Sequence, residues 1–474
     1  MNDLLAKLAE LSPKQRELLL RQLAKQKGET APDRIPRQPR ETDRFPVSYS
    51  QLREWILDRL EPGNPAYNIP GAFHVNGPFD LGVTFACADE IVRRHESLRT
   101  TFAATEGEPV QVVAPHLHLE VPVVDLSALP DERREPEAER LTRFERLLPF
   151  DLARGPLLRV SVLRTGAQRH IVLYTMHHIV SDGWSVSVFL REMAALYSAF
   201  VRRQPSPLPE LPIQYPDYAV WQRGWLQGET LEKHLQFWRD QLAGAPPLLT
   251  LPTDRPRPAI QSYQGSNRAF VLSADLTRTL KAVGQREGAT LFMTLLAGYH
   301  ALLSRYSGQD DISVGTYSAN RGRSELEGLI GFFINTLVLR AHLEDRPTFR
   351  GLLNRVKKVT VDAFAHQALP FEKVLETMRL DRNLSHTPLF QALLVLQNFP
   401  KQSMRTGEVE LEQVEEEDHA NFDLSFWLTE FGDYLAGTAQ FNTDLFDAAT
   451  VDRMSRHYGA LLEAAVREPD RAVH

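Results

Sequence analysis

Two neighbouring histidines, His177 and His178, are followed after three residues by Asp182 and Gly183. An imidazole titrates near neutral pH, so it can accept a proton from a reacting group. The aspartate can cap a helix or hold an arginine, and a glycine N–H at a helix start can donate to an oxyanion. The pattern indicates proton transfer with oxyanion stabilisation. An isolated histidine pair in a strand is also typical of two packed polar residues, so spacing alone leaves both interpretations open.

The elements around this pair must direct one histidine toward the chemistry. Residues 170–178 have the apolar pattern of a strand, and residues 184–201 have the apolar face of a helix. Successive residues of a strand point to opposite faces, so His177 and His178 cannot both face one cavity while the strand is regular. The sequence therefore predicts a strand, a tight turn and a helix, with one histidine in the reaction and the other in packing.

Helical and strand patterns alternate through the rest of the chain. Further helices are predicted over residues 81–95 and 290–306, and further strands over residues 109–113, 157–164, 311–316 and 332–340. This alternation predicts a mixed α and β fold in two large lobes. A proline-rich stretch, residues 205–216, is a candidate crossing between them.

Composition excludes several classes of protein. Of the 474 residues, 43% are hydrophobic and 24% are charged, as in an ordinary globular protein, and the net charge of −7 argues against a nucleic-acid partner. The single cysteine, Cys87, lies in a helical pattern that predicts a buried, inert thiol. Without a cysteine cluster or a His-Glu-x-x-His spacing we expect no metal site. No apolar run reaches the length of a membrane span or signal peptide, so we expect a cytoplasmic protein with no membrane contact.

The first 27 residues differ from the rest. They carry two short helical patterns, and residues 28–45 form a proline-rich, charged linker. The helical segment is either a docking element for a partner or a pair of helices packed on the main body. Because the chain begins with Met, we expect it to be the front end of a longer protein, in which residues 1–27 contact an upstream protein.

The motif from His177 to Gly183 resembles the signature of condensation domains in nonribosomal peptide synthetases. Its shorter His-x-x-x-Asp-Gly core is shared with chloramphenicol acetyltransferase and other acyltransferases. Six further stretches are similar to the other family motifs and follow in the same order: SYSQLREW (48–55), RHESLRTTF (94–102), YPDYAVWQ (215–222), IGFFINTLVLR (330–340), HQALPFEK (366–373) and RNLSHTPLFQ (382–391). Tyr49 stands where a small residue is usual, and Ala368 where an acidic residue is common. The resemblance covers about residues 45–465.

This resemblance implies a fold and a reaction. The fold is two chloramphenicol acetyltransferase-like lobes in a V-shaped pseudo-dimer, here residues 46–210 and 211–474, with the active site in a tunnel between them. The reaction is peptide-bond formation, in which the amine of a downstream carrier-bound aminoacyl thioester attacks an upstream carrier-bound acyl or peptidyl thioester. The implied partners are the donor and acceptor peptidyl carrier proteins, whose 4'-phosphopantetheine arms deliver the substrates, and an adjacent adenylation domain. The chain itself should bind no cofactor, because it has neither a carrier attachment motif nor an adenylation nucleotide loop.

The resemblance also assigns roles within the signature motif. His178 is the catalytic residue that accepts a proton from, or orients, the attacking amine, and Gly183 donates its N–H to the oxyanion. His177 and Asp182 are structural. We expect Arg99 to be the ion-pair partner of Asp182.

Arg94 is the second choice for that partner. Three more residues are candidates for the substrate tunnel: Trp184, Asn335 and Arg340. A core tryptophan explains Trp184 equally well, Asn335 and Arg340 can instead fix the lobe interface, and Asn335 can cap a strand end.

Other branches of the family differ at identifiable positions. Heterocyclising relatives replace the histidine pair with aspartates, recruitment modules that have lost catalysis degrade the motif, and epimerisation domains differ near residues 388–391. The first motif (48–55) and residues 60–70 resemble the branch that takes an L-configured donor. Two alternatives stay open: an ester-forming or O-acyltransferase relative, and a catalytically silent module that only docks carriers.

Overall fold

A computed structural model describes residues 34–378, 383, 385–397, 404–406, 409–413 and 420–473. The expected docking helices (1–27), part of the linker, and two residues of the last motif, Arg382 and Leu384, lie outside the described residues. The helices are α1 (Tyr49–Leu60), α2 (Leu81–Arg94), α3 (Asp131–Leu147), α4 (Gly183–Phe200), α5 (Tyr215–Trp225), α6 (Gly228–Leu242), α7 (Ala274–Arg286), α8 (Leu291–Ser307), α9 (Ser324–Glu327), α10 (Phe349–Ala365), α11 (Phe371–Met378) and α12 (Ala448–Arg467). The strands are β1 (Arg44–Pro46), β2 (Asn68–Asn76), β3 (Thr100–Thr105), β4 (Glu108–Val113), β5 (Val123–Asp125), β6 (Leu158–Gly166), β7 (Arg169–His177), β8 (Gly265–Leu272), β9 (Asp311–Ser318), β10 (Asn335–His342), β11 (Ala392–Gln397), β12 (Met404–Thr406), β13 (Val409–Gln413), β14 (Leu424–Phe431) and β15 (Tyr434–Asn442).

The first sheet carries the histidine motif. Its strand order is β12-β13-β2-β7-β6-β5, and β7 is antiparallel to both β2 and β6. Helices α2 and α4 cover one face, where Cys87 packs with Phe189 and Tyr174. Helix α3 covers the other face through Ala138. Cys87 is fully buried, and burial raises the pKa of its thiol to about 12, as expected for an inert cysteine.

The second sheet lies in the second half of the chain, which we take as residues 211 onward. Its order is β10-β9-β11-β14-β15-β8, with β11 parallel to β14 and β9 and the other pairs antiparallel. Helices α8, α10 and α12 contribute to its hydrophobic core. Thr290 caps α8 by accepting from the Met293 N–H, and Gly308 ends it in a left-handed conformation, which glycine adopts without a Cβ clash. A small third sheet, β1-β4-β3, precedes α3.

The second half of the chain contributes two strands to the first sheet. Strands β12 and β13 follow β11 in sequence, yet β13 pairs with β2 of the first sheet, with Leu411 opposite Val75. The second half therefore completes a sheet that the first half begins. The boundary predicted at residues 210 and 211 stays a prediction.

The observed elements confirm the predicted α and β fold. One strand differs: residues 332–340 were predicted as extended throughout, but β10 begins only at Asn335. The N–H groups of Phe333 and Ile334 donate to the Asp182 carboxylate, at 2.9 and 3.2 Å, and so are not available to a neighbouring strand. Among the described helices, none is both long and apolar enough to cross a membrane.

Candidate active site

Strand β7 delivers the histidine pair to the edge of the first sheet. His177 is its last residue and is buried, and its Nδ1 accepts from the Ile179 N–H at 3.1 Å. The edge of its ring meets Phe150 at 5.8 Å between centroids. Burial lowers the pKa of His177 to about 3, so the ring is neutral and Nδ1 is free to accept. His177 therefore packs and caps the turn, as the alternation of the strand predicts.

His178 leaves the strand and begins a short 3-10 turn, His178–Val180, so its side chain is not bound to the strand alternation. It is partly exposed. Its ring meets Phe332 of the second half at 4.6 Å between centroids and an angle of 64°. Burial lowers the pKa of His178, while the nearby Asp182 charge opposes that shift. The ring is therefore a neutral base at the boundary between the two halves.

Asp182 holds the turn and the second half together. It caps α4 by accepting from the Ser185 N–H at 2.8 Å, and the same oxygen accepts from the Ser185 hydroxyl at 2.7 Å and from Arg321 at 3.2 Å. The other oxygen accepts the Phe333 and Ile334 N–H groups. Because Asp182 and Arg321 are each about 1% exposed in their side chains, this is a buried ion pair.

The predicted ion-pair partners of Asp182, Arg99 and then Arg94, were wrong. Arg99 instead lies 3.8 Å from Glu96 and donates to the Ala114 carbonyl. Arg94, the second choice, pairs with the buried Glu192 at 3.2 Å. Both arginines are committed to groups in their own half of the chain. Arg321, 139 positions from Asp182, was missed because sequence separation gives no signal for a contact that only tertiary folding makes.

Gly183 is the first residue of α4 and is exposed. Apart from its two chain neighbours and the adjoining backbone of α4, no atom of the described residues lies within 4 Å of the position that a Cβ would take there. A substrate can therefore approach the backbone, where the first N–H groups of a helix lack intrahelical acceptors. Trp184, the next residue, is partly buried and donates from its indole N–H to the Glu327 carbonyl at 2.9 Å. Its indole thus joins the two halves.

The structure binds Asn335 and Arg340 to protein groups. Asn335 is buried, and its amide donates to the carbonyls of Gln367 and Leu369, both at 2.7 Å, and accepts from the Phe371 N–H at 3.0 Å. Asn335 thus connects the start of β10 to the start of α11. This position is similar to the alternative in which Asn335 caps a strand end.

Arg340 is likewise buried and forms a two-pronged pair with Asp311 at 2.8 and 2.7 Å. Its remaining N–H groups donate to the carbonyls of Gln241 and Ala243. These contacts describe a structural role within the second half, and a role in the tunnel stays a prediction for both residues.

Helix α1 contributes groups that the sequence motifs did not single out as functional. Gln51 is buried and donates to the Ile179 carbonyl at 3.2 Å, next to His178. Glu54, one turn later, is also buried, while Arg53 is 47% exposed in its side chain. The spacing of Gln51 and Glu54 places them on one helical face, a signal that could have identified Glu54.

Comparison with known proteins places this geometry in a family. The family model named Condensation domain matches residues 41–474. The chain belongs to the condensation-domain family. This confirms the predicted family, the fold class and the amide-forming condensation activity.

Curated relatives of this condensation domain are much longer proteins. It is 48% identical over 432 residues to one of the linear gramicidin synthase proteins of Brevibacillus parabrevis. The aligned region covers 90% of this chain and 8% of that synthase protein. It is 40% identical over 472 residues to phosphinothricin tripeptide synthetase PhsC of Streptomyces viridochromogenes, covering 99% of this chain and 43% of the synthetase. The chain thus spans less than half of either relative.

Solved structures share the architecture. The X-domain from teicoplanin biosynthesis, in its complex with OxyB, superposes with a TM-score of 0.83 at 27% identity, covering 94% of this chain and 98% of that domain. The first condensation domain of the calcium-dependent antibiotic synthetase has a TM-score of 0.74 at 19% identity, covering 91% of this chain and 98% of that one. At 19% identity, the similarity to the antibiotic synthetase domain shows a shared fold.

Proposed function

We propose that this condensation domain joins a carrier-bound acyl or peptidyl thioester to the amine of a second carrier-bound aminoacyl thioester. The observation that carries the proposal is the position of His178. It stands at the end of β7, partly exposed, beside the start of α4 and against Phe332 from the other half. A neutral base beside the start of a helix suits attack of an amine on a carbonyl.

The reaction follows from these groups. The acceptor amine attacks the thioester carbonyl, the new C–N bond forms, and the attacking nitrogen loses a proton to His178. The C–S bond then breaks, and the proton passes to the departing thiolate. Because burial lowers the pKa of His178, its ring is neutral at the start and returns to neutrality at the end.

Stabilisation of the intermediate falls to Gly183. The oxyanion that forms from the thioester carbonyl oxygen needs donors that are already oriented, and the first turn of α4 supplies N–H groups and the positive end of the helix dipole. Asp182 fixes where that turn begins through its bonds to Ser185. Asp182 is therefore a positioning residue.

Holding the two substrates together does much of the catalysis. Well-oriented groups reach effective concentrations of about 10⁵ M or more. We propose that donor and acceptor carrier proteins present their substrates on phosphopantetheine arms and that an adenylation domain loads the acceptor. An upstream synthetase contacting residues 1–27, an L-configured donor and a cytoplasmic location belong to the same proposal. The synthetase relatives support these partners at the level of the family.

A single-turnover assay tests this function. Intact-protein mass spectrometry would follow the acceptor carrier after mixing it with a loaded donor carrier, for wild type and for His178→Ala. We expect the acceptor to gain the donor acyl mass, at a rate that falls about 10²- to 10⁴-fold in the variant because a positioned base contributes that much.

Matched outcomes separate the alternatives. Transfer that continues at the wild-type rate in His178→Ala contradicts the role of His178 as a base. Transfer only to hydroxyl acceptors favours an ester-forming enzyme. Failure of wild type across a broad donor and acceptor panel contradicts the proposed function and favours a docking module.

A further inference from the structure

A buried carboxylate on α1 lies beside the catalytic turn without a full set of partners. Glu54 is 2% exposed, one helical turn from Gln51, which holds the carbonyl next to His178. Its Oε2 is buried and has no hydrogen-bond partner among the described residues. An unpartnered buried carboxylate oxygen is costly, so this oxygen favours a group that can donate a hydrogen bond to it.

The only cation beside Glu54 among the described residues is shared with a second carboxylate. The Arg53 guanidinium lies 3.6 Å from Glu54 Oε1 and 3.4 Å from Glu372, which belongs to α11 of the second half. Two carboxylates around one guanidinium leave one negative charge uncompensated when Glu54 is ionised. Tyr67, the other titratable neighbour, stays neutral because burial raises its pKa to about 12. The group is therefore set to attract a cation.

This group belongs to the catalytic centre. Gln51, one helical turn before Glu54, donates to the Ile179 carbonyl beside His178, and the pKa of His178 is lowered by burial first and by the Arg53 charge to a smaller degree. Arg53 also reaches Glu372 of the second half, at 3.4 Å. Glu54, Arg53 and His178 therefore lie where α1, the end of β7 and the second half meet.

The reaction brings a cation to this place. A free α-amine has a pKa of about 8, so most acceptor molecules arrive as ammonium ions, which have no lone pair for attack. His178 is a poor acceptor for that proton because its own pKa is lowered below 6.5. Burial raises the pKa of Glu54 to about 7, much closer to that of the amine. Proton transfer is easier between groups of similar pKa.

We propose that the Glu54 carboxylate binds the ammonium group of the acceptor aminoacyl thioester and removes one proton from it before attack. The N–H bond to that proton breaks, the proton moves to Glu54 Oε2, and the free amine keeps the electron pair. His178 then accepts the second proton, which leaves the nitrogen when the amide forms. Glu54 returns its proton to solvent after the product leaves. This step rests on the proposed function and assigns its acceptor chemistry to one side chain.

The test compares two acceptors that differ strongly in basicity. One carrier is loaded with an aminoacyl group that wild type accepts in the single-turnover assay, and the other with the aminooxy analogue of that group. An aminooxy nitrogen is uncharged near neutral pH, so it has no proton to lose before attack. The donor is N-acetylated, which removes its own amine from the comparison. The variant is Glu54→Gln, which keeps the size of the side chain but can take no proton.

We expect Glu54→Gln to slow transfer to the aminoacyl acceptor at least tenfold near neutral pH and to leave transfer to the aminooxy acceptor within twofold of wild type. The aminoacyl defect should shrink as the pH rises above about 8, where the amine is already neutral. Unchanged aminooxy transfer would also show that the variant is folded.

Asp311→Asn is the matched control, because it removes a carboxylate from the ion pair with Arg340 in the second half and leaves Glu54, Arg53 and Glu372 in place. It should keep the wild-type ratio of the two acceptors. Equal losses with both acceptors in Glu54→Gln, or no loss with either, overturns the proposal while leaving condensation itself established. The comparison is then repeated with a donor that carries a free amine. A Glu54→Gln defect that appears only with this second donor would assign Glu54 to the donor, and this also overturns the proposal. If no acceptor is used by wild type, the proposed function has failed.

Discussion

At the scale of single residues, the basicity of His178 depends on Phe332. The aromatic ring shields one side of the imidazole from water, and desolvation favours the neutral form. The Phe332 carbonyl accepts from the Tyr215 hydroxyl at 2.6 Å, and that hydroxyl also contacts Ser48 at 2.9 Å. Phe332 is thus itself held from two sides of the molecule.

Phe332→Ala should raise the pKa of His178 toward 6.5, because water would reach the ring. We expect the acid limb of the rate profile, measured with an aminooxy acceptor, to move to higher pH, and the rate to fall about tenfold. Phe332→Leu keeps most of the volume and should lie between the two. An acid limb that stays in place in both variants would show that Phe332 only fills space.

Element by element, the change from strand to 3-10 turn at the end of β7 separates the two histidines. The alternation of β7 turns His177 inward, and the turn frees His178 from that alternation. The His177 ring stabilises this change by accepting the Ile179 N–H, which requires an unprotonated Nδ1. Protonation of Nδ1 would break this hydrogen bond, so the stability of the local backbone depends on pH.

His177→Asn should make the protein less sensitive to acid. The pKa of His177 is about 3 in the folded protein and 6.5 when unperturbed, so below pH 6.5 the unfolded chain binds more protons and the wild type loses stability as the pH falls. The loss between pH 6.5 and about 4 amounts to about 3 kcal/mol. Asparagine can accept the same N–H but does not titrate. In His177→Asn this part of the pH dependence of the unfolding free energy should therefore vanish, as measured by urea unfolding at several pH values. Parallel slopes for both proteins would contradict the neutral buried ring.

Local elements were largely predictable from sequence because their causes are local. The helical pattern of 184–201 matches α4, which spans Gly183–Phe200, and the strand over 170–178 matches β7 to within a residue at each end. The early start predicted for β10 failed because Asp182, far away in sequence, takes the N–H groups that a strand would use. Arg321 and the burial of Glu54 were missed for the same reason: both depend on which half of the chain packs against the other.

Over the whole molecule, Asp182 joins the halves at the point where the chemistry occurs. It caps a helix of the first half while binding Arg321 and the backbone of the second. The two halves therefore meet through groups that also set the positions of Phe332 and Gly183. Loss of this carboxylate should disturb stability and activity together.

Asp182→Asn should cost about 3–5 kcal/mol of unfolding free energy, because it leaves Arg321 as a buried, unpaired charge. Single-turnover transfer should fall as well, since Phe332 and the start of α4 lose their common anchor. Asp311→Asn is the control: it breaks the ion pair of Arg340 within the second half and should lower stability without changing the pH profile of transfer. Equal effects of the two variants on that profile would contradict a positioning role for Asp182.

The contribution of β12 and β13 to the first sheet bears on the recombination of such domains. If the first half of this chain were joined to the second half of a relative, its β2 edge would have to pair with a foreign β13. A mismatch there would leave the backbone N–H and C=O groups of β2 exposed, and exposed strand edges promote aggregation. Exchanging residues 404–413 together with the first half keeps the sheet native. The residues that form this sheet are therefore discontinuous in the sequence, and they should be exchanged as one set.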